Sequence, residues 1–266
     1  MQITPIVLCA AASSLAALWN SPAGGDAKET APRAYRFTVD YTSSDTKGQI
    51  TRRQRLRGEY TRDLPGGDAT WANVSLAEAL GASEPLAPPQ KREFMEGFRY
   101  RRRGDFSDSM KPDFFKGFPP AAVIERNLVW DTEMFELFGE KQLSHLKPNE
   151  PFHVVSNNDV TVPGVGTFHN RDVELTLIGR SPRNGQECAV IEYRAFFNPL
   201  DIANGGMTLK GRSHYWGLIW VSLNRQQIEY ATLYEDVLGE LRLPGAPAEQ
   251  LIDVFRSGVF EPAGRE

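Results

Sequence analysis

The sequence predicts a mainly β protein: a curved antiparallel sheet or half-barrel of long strands, with a central helical insertion and a C-terminal helix. Three observations predict this class. Long stretches alternate apolar and polar residues, the period of a half-buried strand. Short turn signals such as Asn184-Gly185 separate these stretches. From about 107 to 147, apolar residues instead recur at every third or fourth position, the period of an amphipathic helix.

The N-terminus predicts export. The first nineteen residues carry no charge, are apolar or small, and are followed by small, turn-forming residues. This pattern is typical of a secretory signal peptide, and cleavage after Ala23 or Ala27 would satisfy the small-x-small rule. We therefore expect a signal peptide at 1–27 and one β-rich domain at 28–266, periplasmic or secreted, with no membrane span in the mature chain. The usual basic n-region is missing, since no Lys or Arg precedes Lys28. A single-span anchor stays open as the alternative, although the apolar run is near the lower limit for spanning a bilayer.

Composition and cysteine count narrow the class further. The 266 residues include 41% hydrophobic and 24% charged residues and carry a formal net charge of −4. Such a balance gives no electrostatic reason to expect a nucleic-acid partner. Of the two cysteines, Cys9 lies in the predicted signal peptide, so Cys188 has no partner for an internal disulfide. We expect Cys188 to be a small buried hydrophobe of a strand.

The N-terminal part of the chain predicts three strands and a further segment, 69–80, whose first half favours a strand and which could alternatively form a short helix. The second of them predicts two distinct faces, with Arg53, Arg55 and Arg57 on one side and Leu56 and Tyr60 on the other. The alternating segments are 34–44, 47–64, 69–80 and 91–105.

The middle of the chain predicts the helix. Pro119-Pro120 can open it, and Gly139 or Pro148 can close it. Its apolar residues at helical spacing include Leu128, Trp130, Met134, Phe135 and Phe138.

The C-terminal part returns to long strands joined by short turns, which favours an antiparallel meander. The clearest alternating segments are 187–199, 207–222 and 228–241. A last segment, 247–258, places Leu251, Val254 and Phe255 at helical spacing and predicts a closing helix.

The segment 207–222, MTLKGRSHYWGLIWVS, predicts a strand with one core face and one face that changes from basic to aromatic. Small and apolar residues alternate on the first face. The second face suits a ligand-lining surface. Alternatively, its tryptophans lie under a helix while its cations reach solvent. The second face carries Lys210, Arg212, His214, Trp216 and Trp220.

His214 is the candidate general base. The adjacent Tyr215 points to the opposite face, so a catalytic partner would have to come from a neighbouring strand. Glu229, Glu235 and Arg194 are the candidates, depending on register. The four histidines show no close metal-ligand spacing, and we expect no metal and no cofactor. A site built from His153, His169 and His214 on adjacent strands stays open.

Two segments carry a resemblance to a known family. They are 166–197 and 211–241, each of which reads as an aromatic strand, a short turn and a returning strand. With the export signal and the central helix, this pattern resembles the half-barrel of periplasmic lipoprotein-carrier (LolA/LppX-like) domains. The resemblance implies a curved sheet whose concave face is plugged by helices and a hydrophobic groove for acyl chains.

Three functions follow as hypotheses. The first is an exported binding protein that holds a lipid or another apolar or amphipathic molecule on the sheet. The second is an exported enzyme acting on a polysaccharide or ester, with His214 as the base. The third is a structural or interaction protein of the cell envelope. In the first, the groove is lined by Trp216, Trp220, Phe168 and Phe196, with Arg212 and Lys210 near an anionic head group.

Overall fold

A computed structural model describes most of the chain beyond the predicted signal peptide. The described residues are 31–102, 106, 108–109, 111, 113–119, 121–155, 158–162, 166–204, 206–245 and 249–264. The predicted signal peptide at 1–27 lies outside them. Thirteen strands in the described part form one antiparallel sheet, open and curved, with one central helix. The mainly β class, the open antiparallel sheet and the central helix are thereby confirmed.

The elements have the following bounds. The strands are β1 (Arg33–Ser44), β2 (Ile50–Leu64), β3 (Asp68–Leu80), β4 (Gln90–Lys91), β5 (Arg99–Arg101), β6 (Pro151–Val155), β7 (Asn158–Val162), β8 (Gly166–Asn170), β9 (Val173–Arg183), β10 (Gln186–Asn204), β11 (Met207–Ser222), β12 (Ile228–Arg242) and β13 (Gln250–Pro262). The helix α1 (Val123–Phe135) continues into a π-helical turn (Glu136–Lys141) and a 3-10 turn (Leu143–His145). Another 3-10 turn covers Glu93–Met95.

The strand order shows how the two ends of the chain meet. Along the sheet it runs β4-β3-β2-β1-β13-β12-β11-β10-β8-β7, with β5 beside β3, β9 beside β10 and β6 beside β9. The last strand, β13, therefore lies between β1 and β12 and hydrogen-bonds to both. It joins the N-terminal strands to the C-terminal meander in a single sheet.

The predicted C-terminal helix is wrong. The segment predicted from Leu251, Val254 and Phe255 forms β13, whose bonds to strands on both sides outweigh the local helical spacing. The alternation that dominates is that of Val254, Arg256, Gly258 and Phe260, which all face the core.

The prediction of one continuous strand at 91–105 is also wrong. The chain forms β4, a 3-10 turn and β5 instead. Gly97 takes a left-handed conformation (φ 71°) that turns the chain, and the ladder with β3 is interrupted between Lys91 and Arg99. By contrast, β1, β2 and β3 confirm their predictions, and in β2 Leu56 and Tyr60 are buried on the face opposite Arg57.

The predicted helix is confirmed, and it is enclosed on all sides. All five of its predicted apolar residues are buried. Phe135 packs its ring against Phe37, Tyr193 and Phe260 from three strands. At Gly139 the backbone lies so close to the sheet that an added Cβ would sit 2.9 Å from the Ile219 side chain. We call the sheet face that packs on α1 the inner face, and its opposite the outer face.

Buried ion pairs also hold the helix on the inner face. Arg256 of β13 binds Asp131 of α1 through two hydrogen bonds of 2.6 and 3.1 Å, and it also contacts Glu235. Arg62 of β2 contacts Glu140 at 2.6 Å. These groups are withdrawn from water, and each guanidinium is matched by carboxylates, which is the condition for tolerating buried charge. The inner face is therefore filled by the chain itself under α1.

Candidate functional site

The strand β11 shows where the predicted site residues lie. Its alternation is as predicted: Tyr215, Ile219 and Val221 are buried on the inner face. Its basic and aromatic side chains consequently lie on the outer face, and α1 does not cover them. The predicted site residues Lys210, Arg212, His214, Trp216 and Trp220 all belong to this outer face.

Four aromatic rings form a continuous band across four strands of the outer face, and a fifth ring stands beside its end. We call them the aromatic band: Phe196 and Phe197 of β10, Trp216 of β11, Tyr234 of β12 and Phe255 of β13. Successive ring centroids lie 6.3 Å apart from Phe196 to Trp216, 5.9 Å from Trp216 to Tyr234 and 6.4 Å from Tyr234 to Phe255. Phe197 is 64% exposed and Phe196 42%. A contiguous exposed apolar surface of this kind marks an interaction site.

A β-bulge presents the two phenylalanines of the band. The pairing of β10 with β11 shifts between Ala195 and Asn198, and Phe197 has a φ of 59°. A bulky residue in this region costs about 1–3 kcal/mol and persists only where its surroundings hold it. The Asn198 side chain does so, since its Nδ2 donates to the carbonyls of Ala195 (3.1 Å) and Ser213 (3.3 Å). The bulge is a built feature that displays two consecutive rings.

His214 supports this bulge from the neighbouring strand. The Phe197 backbone N–H donates to His214 Nδ1 at 3.3 Å. The imidazole also lies 5.0 Å from the Phe197 ring and 6.0 Å from the Phe196 ring. Because Nδ1 accepts this bond, the neutral ring carries its proton on Nε2. His214 thus has a direct structural role at the edge of the band.

The catalytic partners predicted for His214 are engaged elsewhere in the described structure. Glu235 binds Arg256 on the inner face, and Arg33 contacts Glu229 at 2.9 Å. Arg194 pairs with Glu174. The residue that stands opposite His214 in the register is Asp236 of β12.

Sequence reasoning missed Asp236. The only available signal was its adjacency to Glu235, which puts the two carboxylates on opposite faces of a strand. Register alone decides that Asp236 meets His214 on the outer face.

Asp236 forms a carboxyl pair with Asp253 of β13. The register places the two side chains diagonally from one another on the same face, since Asp236 stands opposite Phe255 and Asp253 stands opposite Leu238. Partial burial raises the pKa of Asp236, the nearby Asp253 raises it further, and His214 opposes the rise. Beside the pair, a cleft of about 310 Å³ is lined by Asp253, Leu238 and Leu251, among others. Asp236 therefore stands beside Phe255 of the aromatic band, and Asp253 borders a recess lined by both polar and apolar residues.

The predicted head-group contacts lie at one end of the same face. Lys210 stands between Asp201 of β10 and Glu240 of β12 in the register, so carboxylates flank it on both sides. Arg212 stands opposite Leu238. Both cations are exposed.

Trp220, another predicted lining residue, lies outside the band. Trp220 packs on Tyr230 at 5.3 Å, and the Arg183 guanidinium lies 3.7 Å from the Tyr230 ring. The backbone of Phe168 pairs with Leu200 in the sheet, but its side chain lies outside the described part of the structure.

The described residues form neither a metal-ligand cluster nor a membrane-spanning helix. Among these residues no group of three or more His, Cys, Asp or Glu side chains is arranged to hold a metal ion. Within the same residues no helix has both the length and the apolar character needed to cross a bilayer. Cys188 is a buried free thiol, and burial raises its pKa.

Comparison with known proteins gives similarities of fold only. No family model matches the chain, and no curated protein matches it. Among solved structures, it is similar to a Bacteroides fragilis protein described as exported, with a YmcC-like fold, at 10% identity and a TM-score of 0.18 over 82% of this chain and 93% of that one. It is also similar to a DUF1329 family protein from Desulfovibrio piger, at 7% identity and a TM-score of 0.16 over 88% of each chain.

Proposed function

We propose that this chain is an exported binding protein that holds the apolar part of a hydrophobic or amphipathic ligand on the aromatic band. The observation that carries the proposal is the continuity of the band, in which four partly exposed rings contact one another across four strands and the exposed Phe197 ring stands beside Phe196, with His214 between them. Covering such rings removes apolar surface from water, which favours binding by about 25 cal/mol per Å². Trp216 and Phe196 are the predicted lining residues that belong to this surface.

The outer face suits this role better than the inner face. On the inner face, α1 occupies the sheet with its apolar residues and with ion pairs to Arg256 and Arg62. A ligand entering there would have to displace a buried, matched charge network. The outer rings need no such rearrangement, and the bulge at Phe197 already holds two of them in place. Preorganisation of this kind reduces the cost of binding.

The first test is mass spectrometry of an organic extract from mature protein purified without detergent. A stoichiometric apolar molecule would support the proposal and identify its class. The second test measures the affinity for dodecyl maltoside, below its critical micelle concentration, in the double variant Trp216→Ala/Phe255→Ala. Loss of the two central rings should weaken binding at least tenfold.

The matched control is Leu80→Ala, which removes an exposed apolar side chain (62% exposed) outside the band. It should leave the affinity unchanged. A clean extract together with equal affinities in all three proteins would contradict the proposal. That result would favour the third hypothesis, a cell-envelope protein that uses this face to contact another protein.

A second candidate function has one observation in its favour. His214 stands opposite Asp236, so an imidazole and a carboxyl group meet at the edge of the band, as an acid–base pair would require. This is the exported hydrolase acting on a polysaccharide or ester. His214→Ala would abolish turnover in that case, whereas it would leave most of the ligand affinity of a binding protein.

A further inference from the structure

We propose that the ligand of the aromatic band carries a cationic group, such as an alkylammonium, which sits at the carboxyl pair of Asp236 and Asp253. This inference rests on the proposed function and specifies its ligand class, a cationic amphiphile. It replaces the anionic head group expected from the sequence at Arg212 and Lys210.

The position of the pair is the first argument. Asp236 lies between His214 and Phe255 in the register of three neighbouring strands. It therefore follows Tyr234 along the outer face of β12 and touches the band directly. A ligand whose chain covers the rings of Tyr234 and Phe255 would bring its polar end to this carboxyl pair. The cleft beside Asp253 supplies room for that end.

Charge balance is the second argument. At this end of the outer face, the described residues of β10 to β13, with the adjoining Glu249, place three cations near five carboxylates. Arg242 and Glu249 neutralise each other in an ion pair, Lys210 is flanked by two further carboxylates, and no ion pair from Lys or Arg reaches Asp236 or Asp253 in the described structure. The remaining cations are Lys210 and Arg212, and the remaining carboxylates are Asp201, Asp236, Glu240 and Asp253. The surface is therefore complementary to a positive group.

The third argument is the ionisation state of the carboxyl pair. Partial burial raises the pKa of Asp236 and the nearby Asp253 raises it further, because two neighbouring carboxyl groups disfavour full ionisation. A cation placed between them removes the repulsion and favours the ionised form. The neighbouring aromatic faces attract the same cation through their quadrupoles. A metal ion is not the favoured occupant, because no third His, Cys, Asp or Glu in the described residues completes a ligand set.

The experiment compares three amphiphiles with the same dodecyl chain, each below its critical micelle concentration: dodecyltrimethylammonium, dodecyl maltoside and dodecyl sulfate. Titration calorimetry on the mature protein gives the three affinities. We expect the ammonium compound to bind at least tenfold more tightly than the maltoside at low salt, with the advantage shrinking as salt is raised. In Asp236→Asn/Asp253→Asn the affinity for the ammonium compound should fall to that of the maltoside, which should itself be unchanged.

The control variant is Asp201→Asn/Glu240→Gln, which also removes two carboxylates from this face, but beside Lys210. It should keep most of the preference for the ammonium compound. Because the Asn variant relieves a like-charge contact, we expect it to fold, and its urea unfolding curve checks this. Should the double variant unfold, Asp236→Asn alone should still reduce the preference several-fold.

The outcomes separate the two proposals. Equal binding of all three amphiphiles would overturn the cationic inference and leave the proposed function standing. Tightest binding of dodecyl sulfate would overturn it in favour of the head-group site at Lys210 and Arg212. If none of the three binds, both proposals fail. The ammonium affinity should also weaken as pH is lowered, because protons compete with the cation for the carboxyl pair.

Discussion

Arg256 of β13 and Asp131 of α1 meet through two hydrogen bonds in a site that water does not reach. The strand comes from the end of the chain and the helix from its middle, 125 residues earlier. Glu235 and Ser213 extend the contact to β12 and β11, since Ser213 Oγ donates to the carboxylate that binds Arg256. The helix is thereby fixed over the inner face, and the outer face is left as the surface for contacts.

We expect Arg256→Met to destabilise the protein by about 3–5 kcal/mol, because it leaves the carboxylates of Asp131 and Glu235 buried without their cation. Urea unfolding followed by circular dichroism measures the loss. The control is Arg36→Met, which breaks the exposed contact with Glu261 at 3.0 Å and should cost no more than about 1 kcal/mol. Equal losses in both variants would contradict the role given to the buried contact.

Asp131 makes the stability depend on pH in an unusual direction. Burial raises its pKa to about 6, above the ordinary 3.8, although Arg256 opposes the rise. The folded state therefore holds this proton more tightly than the unfolded state, and the stability that it contributes is present below about pH 4 and lost as pH rises to about 6. Relative to Asp131→Asn, the wild type should lose on the order of 3 kcal/mol between these values.

The measurement for Asp131 is the free energy of unfolding of both proteins from pH 4 to 7. Taking the difference between them removes the titration of all shared groups. A difference that stays flat, or that favours the wild type as pH rises, would refute this prediction.

We expect Phe197→Gly to separate stability from binding. Glycine adopts the left-handed conformation of this position without strain. The free energy of unfolding should therefore stay the same or rise by up to about 1 kcal/mol. The most exposed ring of the band is lost, however, and affinity for dodecyl maltoside should drop several-fold. Gln226→Gly is the matched control, because Gln226 is an exposed residue with a similar φ of 53° in the turn between β11 and β12, outside the band. This control should change the free energy of unfolding by a similar amount and should leave the affinity for dodecyl maltoside unchanged. A loss of affinity in the control would contradict the role of the band.

Gly217 of β11 should tolerate no side chain. An added Cβ would lie 2.0 Å from the Thr232 carbonyl oxygen and 2.6 Å from the Tyr193 hydroxyl. Tyr193 passes over this glycine to donate to the same carbonyl at 2.8 Å. We expect Gly217→Ala to cost more than about 3 kcal/mol or to prevent folding, because backbone atoms have to move. Thermal unfolding checks this, and a melting temperature within a few degrees of the wild type would show that the strands separate easily.

The sequence predicted the strand and helix periods well where a single period was present. The alternation of β11 and the helical spacing around Phe135 each had one consistent solution, and both are confirmed. It failed at 247–258, where Leu251, Val254 and Phe255 fit a helix while Val254, Arg256 and Gly258 fit a strand. Two distant partner strands decided that choice, and their bonds are not visible in local spacing.

The candidate site was likewise predicted only in part from the sequence. The pattern of residues 207–222 indicated that Trp216, His214 and the two cations share one face of a strand. It contained no information on whether that face meets α1 or solvent. The contacts of the band with Tyr234 and Phe255, and of His214 with Asp236, depend on strand register and on the bulge at Phe197, which long-range hydrogen bonds fix.

The sequence by itself thus determined the mainly β class, the central helix and the two-faced character of β11, because these follow from the positions of apolar residues along one segment. The tertiary structure alone decided the place of β13, the face that α1 covers and the meeting of Asp236 with Asp253. Those features depend on pairing between segments far apart in the chain, and their energy comes from contacts that exist only once the sheet has formed.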